Sequence, residues 1–164
     1  MKIFSLAPKE NWILDRIHEE WNELYSDICV KNPKEADIIW IISPWLWAQV
    51  PFYLLKDKKV VVTIHHIVPE KFSVNSLRQF IMRDPFVDLY HVPCEKTKEF
   101  ISQHTKKPIK VIGYWYNEKI WSPYDKLEAR KELDIPTDSF VIGRLQRDSE
   151  GHDLKSPKLE KGPD

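Results

Sequence analysis

Short apolar runs alternate with stretches of helical period along most of the chain. "KIFSL" (2–6), "DIIWII" (37–42), "KVVVTI" (59–64), "DLYHV" (88–92) and "IKVIG" (109–113) are predicted strands. A weaker one is "DICV" (27–30), and a last one is "FVIGRL" (140–145). Between them Trp12, Ile13, Ile17, Trp21 and Leu24 recur at helical spacing, as do Leu77 with Phe80 and Ile81, and Thr97 with Phe100 and Ile101. "YDKLEARKELDIPTDS" (124–139) predicts a short helix that stops before Pro136, and the aromatic run past Pro44 predicts another. Strands that are apolar throughout have lost in–out alternation because both faces are covered, which is the pattern of a parallel sheet under helices. The expected fold is therefore α/β, a doubly wound, mostly parallel Rossmann-like sheet. Such sheets bind ligands beyond the carboxyl ends of their strands.

Two adjacent histidines stand at one of those ends. In "VVVTIHHIVPEKF" the β-branched run closes on His65 and His66, and strand alternation turns their side chains to opposite sides, so at most one faces a crevice there. A histidine at a strand end titrates near neutrality and can hydrogen-bond a ligand hydroxyl. His18, His91, His104 and His152 read as packing or surface residues, and no metal-ligand spacing occurs, so no metal is expected. The cluster "WIISPWLWAQVPFY" places Trp45 and Trp47 on the loop after a central strand. Tryptophan rings stack on the C–H faces of pyranoses and also settle at membrane surfaces, with core packing as the plainer use.

Charge narrows the partners. Lysine plus arginine and aspartate plus glutamate each total 25, so no bulk field favours nucleic acid. Cys29 and Cys94 show no disulfide or zinc spacing and read as reduced thiols. The segment before Pro8 is too short for a leader, and no apolar run approaches ~18 residues, so the expected location is cytoplasmic. The polar stretch 146–164 offers no apolar face. A strand with no covering helix after it reads as a chain cut just inside a second domain.

"VTIHHIVPEKF", "VPCEKTKEFI", "VIGYWYNEKIWSPYDKLEARKELDIPTDSFVIGRLQRD" and "LEKGPD", in that order, resemble family-4 glycosyltransferases of the GT-B fold. The resemblance implies two Rossmann-like domains facing across a cleft, an acceptor-side one over 1–123, a connection over 124–139, and the first strand and phosphate loop of a donor domain over 140–164. It implies transfer, with retention, from a nucleotide-diphosphate sugar to a glycan, lipid-linked or small-molecule acceptor, by a hexosyltransferase-like enzyme needing no cofactor or metal. His65 maps onto a cleft-floor histidine, and Arg144 or Arg147, together with Lys161, maps onto the cations that grip the donor diphosphate. Trp45, Trp47 and His66 are the acceptor-side candidates.

The chemistry suits those residue types. Glycosyl transfer leaves growing negative charge on the departing phosphate, which preorganised arginine and lysine stabilise. Lipid-linked acceptors make peripheral contact at the inner membrane face the second use of the tryptophans. Residues 1–164 alone are expected to be inactive, since the residues that read base and sugar lie beyond them. Two alternatives stand beside this reading. One is a non-catalytic Rossmann-like binding module. The other is a GT-B sugar-nucleotide epimerase, which needs carboxylates of which "TIHHIVPEKF" offers only Glu70.

Overall fold

A computed structural model describes residues 1–143, and the chain divides into two units, Met1–Trp115 and Tyr116–Asp164. In the first unit five strands form one all-parallel sheet in the order β1 (Ile3–Leu6), β2 (Ile38–Ile41), β3 (Lys59–Thr63), β4 (Leu89–Val92) and β5 (Ile109–Val111). Four helices alternate with them: α1 (Ile13–Leu24), α2 (Phe52–Asp57), α3 (Val74–Arg83) and α4 (Glu95–Ser102).

Strands laid down in plain sequence order with right-handed crossovers put every helix on one face. Cys29 breaks that order. It bridges Ile3 in parallel on the outer side of β1, with the Ile3 N–H donating to the Ile28 carbonyl at 2.8 Å and the Val30 N–H to the Ile3 carbonyl at 2.9 Å. The weak strand predicted over 27–30 thus survives as this bridge. The chain winds outward from β1 and then back past it to β2, so helices cover both faces and the fold is doubly wound. Packing agrees: Ile39, Ile41, Val60, Val62, Tyr90 and Val92 meet α2, α3 and α4 in one core, while Ala7, Ile42 and Trp40 meet Leu14 and Ile17 of α1 in a second.

The aromatic run after Pro44 differs from the single helix expected. It makes a 3-10 segment, Pro44–Gln49, and then α2 from Phe52. Pro51 supplies the reason, because it lacks an N–H and holds the preceding residue out of helical conformation.

In the second unit the described residues form α5 (Lys126–Glu132), capped by the Asp125 carboxylate, which accepts from the N–H groups of Leu127 and Glu128. The Arg130 guanidinium ties the turn behind it to the carbonyls of Pro136 and Ser139. Phe140–Gly143 carry no strand pairing, in contrast to the strand expected over 140–145. A strand exists only through its ladder, and no neighbouring strand lies beside these residues within the unit's described part.

Candidate active site

At the carboxyl edge the switch in winding lies between β1 and β2, where Ala7 and Ile42 meet. The β3 chain carries His65 to this place. Its Nε2–H donates to the Ile42 carbonyl at 2.8 Å, since a carbonyl can only accept. That bond fixes the tautomer and leaves Nδ1 as an acceptor, which takes the Tyr114 hydroxyl proton at 2.7 Å. The two rings stack with centroids 5.7 Å apart. Burial pushes the His65 pKa below the ordinary imidazole value; the Ile42 carbonyl opposes this, and nearby His91 and His66 add to it. Burial likewise pushes the Tyr114 phenol up to about 12. The pair is thus neutral at physiological pH.

His66, next to His65 in the chain, is exposed. Trp45 presents its ring to solvent at 60% exposure, whereas Phe52, also exposed, packs edge-on against the Phe86 ring at 4.9 Å. Trp47 instead packs on the core and lies 6.1 Å from the Phe86 ring. Arg144, Arg147 and Lys161 lie outside the described residues.

Three features escaped the sequence reading. First, a directed chain of side-chain bonds crosses three strands: Trp40 Nε1–H donates to Thr63 Oγ at 2.8 Å, Thr63 donates to His91 Nδ1 at 3.0 Å, and His91 Nε2–H donates to the Ile112 carbonyl at 2.9 Å. Second, Ile112–Trp115 runs back across the carboxyl edge from β5. Trp115 ends on the Ala7, Leu14, Ile17 and Ile42 cluster, and its Nε1–H donates to the buried Glu20 carboxylate at 2.7 Å. The aromatic triplet "YWY" directly after the last strand is the only sequence signal for this strap.

Third, the loop after β1 supplies its own anion. Lys9 and Asn11 sit at positive φ, and the Asp15 carboxylate accepts from the N–H groups of Lys9 at 2.8 Å, Glu10 at 2.7 Å and Trp12 at 3.3 Å. In phosphate-binding Rossmann folds such amides face the ligand. Here a side chain fills them, consistent with a loop "APKENW" that has no glycine. Partial burial raises the Asp15 pKa, but the backbone N–H bonds outweigh it and hold the carboxyl below its ordinary value. A depressed folded pKa adds stability that is present above the unfolded value near pH 4 and is lost as pH falls toward the folded value. Asp15→Ala is expected to cost about 1 kcal/mol at pH 7, as for other lost caps, and to flatten the decline below pH 4 in urea titrations. An unchanged acid limb would show that the carboxylate is not the titrating group.

The open cavity of about 590 Å³ lies at the other edge, against the amino ends of β2, β3, β4 and β5. Its lysines and aspartates are largely spent on one another, as in Lys59–Asp88 at 2.9 Å and Lys58–Asp57 at 3.3 Å. Ligand chemistry in a doubly wound sheet belongs to the carboxyl edge, where His65 stands, and not to the edge this cavity occupies. Among the described residues no cluster of His, Cys, Asp or Glu is placed to hold a metal ion, and no helix is long and apolar enough to cross a membrane. Comparisons with known protein families, with curated proteins and with solved structures found no match to this chain.

Proposed function

We propose that the Met1–Trp115 unit is the acceptor-side half of a retaining, metal-independent glycosyltransferase that draws on a nucleotide-diphosphate sugar. The observation that carries this reading is His65: a neutral imidazole of fixed tautomer at the switch point of the sheet, with its one acceptor nitrogen turned to a hydroxyl. That is the group a sugar hydroxyl needs. The filled Asp15 nest supports it indirectly, because a donor diphosphate then depends on cations elsewhere, for which Arg144, Arg147 and Lys161 are the proposed set. Exposed Trp45, on the loop after β2, supports a glycan or lipid-linked acceptor approaching at the rim, and contact with the inner membrane face is the other use of that ring.

A second reading, a non-catalytic Rossmann-like binding module, is favoured by one observation: both ring nitrogens of His65 already have partners within the chain. The test uses the protein expressed from its complete reading frame, incubated with a panel of nucleotide-diphosphate sugars. Nucleoside diphosphate release is expected, and His65→Ala should lower turnover about 10²-fold per folded molecule. Loss of two hydrogen bonds should also cost about 1–2 kcal/mol of stability, so folded fraction is measured alongside. Unchanged turnover in His65→Ala, or no release from any donor, favours the binding module.

A further inference from the structure

We propose that the Ile112–Trp115 strap is an autoinhibitory latch, in which Tyr114 occupies the acceptor nitrogen of His65 and Trp115 anchors the strap's far end, so that ligand binding is a displacement of Tyr114. The inference rests on the glycosyltransferase reading for the ligand's class, a hydroxyl-rich pyranoside. The latch itself rests on geometry alone.

Three observations converge. The site under the strap is complete without Tyr114: Nε2–H is committed to Ile42, so Nδ1 accepts whichever hydroxyl reaches it. The strap is held mainly by side chains, for among the described residues Gly113, Tyr114 and Trp115 make no main-chain to main-chain hydrogen bond. Its first residue is fastened, through the Ile112 N–H to Val92 at 3.0 Å and the Ile112 carbonyl to His91. Its last is fastened by Trp115 to Glu20 and the small apolar cluster. Tyr114 is the exposed link between two fixed ends, half of its surface open to solvent and its bond to His65 at the surface. A neutral surface hydrogen bond contributes little net free energy, so a ligand hydroxyl that forms the same bond replaces it with only a modest penalty in affinity.

The experiment uses the whole 164-residue chain and diethyl pyrocarbonate, which acylates the unprotonated imidazole nitrogen, with each histidine followed by mass spectrometry at neutral pH. In the unmodified sequence His65 should react slowly beside exposed His66. Tyr114→Phe keeps the ring and removes the hydroxyl, and His65 should then react at least about fivefold faster, the factor that ~1 kcal/mol represents. Equal His65 rates in the two chains overturn the latch. Methyl α-D-glucopyranoside and glycerol serve as probes. The pyranoside should protect His65, with an apparent affinity about fivefold tighter in Tyr114→Phe than in the parent. Equal or weaker affinity in the variant overturns the displacement. Protection by glycerol but by no pyranoside, again tighter in the variant, sustains the latch and removes the sugar reading, so the two failures are told apart.

Discussion

Ile39→Ala should lower the free energy of unfolding by about 3–5 kcal/mol, the largest effect expected of any single truncation in the sheet. Ile39 is fully buried in β2, with β1 and β3 on either side, and packs in the core that α2, α3 and α4 close. Removing three carbons there leaves a cavity among the close-packed side chains of that core, above a sheet backbone held by its ladder on both sides, so the cavity cost adds to the lost transfer free energy. Urea unfolding should show a lower midpoint at unchanged slope. Trp45→Ala is the control and should move stability by less than about 0.5 kcal/mol, because that ring is exposed. A comparable loss from both changes would mean that β2 is not the centre of the core.

Thr63→Val comes next, at about 2–3 kcal/mol. Valine has the same shape, so no cavity forms, yet the Trp40 N–H loses its acceptor and His91 Nδ1 loses its donor on a half-covered sheet face. Each such orphan costs about 1–3 kcal/mol when fully buried, and water reaching the rim recovers part of that here. Thr63→Ser keeps the hydroxyl and should cost only about 1 kcal/mol, the worth of a buried methyl group. If serine is as damaging as valine, packing rather than the bond chain explains the position. Hydrogen exchange at the Ile112 amide should rise with valine alone, because His91 would no longer be oriented to hold the Ile112 carbonyl.

The sheet was readable because its strands are apolar on both faces. "DIIWII", "KVVVTI" and "DLYHV" announce burial on two sides, and that demands covering helices. Helix α1 was readable because Ile17 and Trp21 recur at helical spacing, but of the other residues in that pattern Trp12, Ile13 and Leu24 are exposed and Leu14 takes the buried place. The winding reversal was nearly invisible, since Cys29 makes a single bridge and "DICV" has too few apolar residues to signal more. His65 stood out because a polar residue ending a β-branched run is conspicuous, and strand alternation agrees with its half-buried position next to exposed His66. Its partners were not found. Tyr114 lies 49 residues away and the Trp115–Glu20 bond spans 95, so no periodicity connects them. Trp45 and Trp47 look alike in sequence, and only the 3-10 turn decides that one ring packs on the core and the other stays in water.

Sequence order in the ladder also bears on how the chain acquires its structure. Each strand from β2 onward pairs with the one made just before it, so every βαβ unit closes a loop of only a few tens of residues, and the sheet can grow in the direction of synthesis. The Trp115–Glu20 bond is different, for it joins nearly the two ends of the first unit. Trp115 lies after β5 in the chain, so during synthesis this closure cannot form before β5 has emerged. A nascent chain therefore passes through a stage in which all five strands have been made and the carboxyl edge is still uncovered.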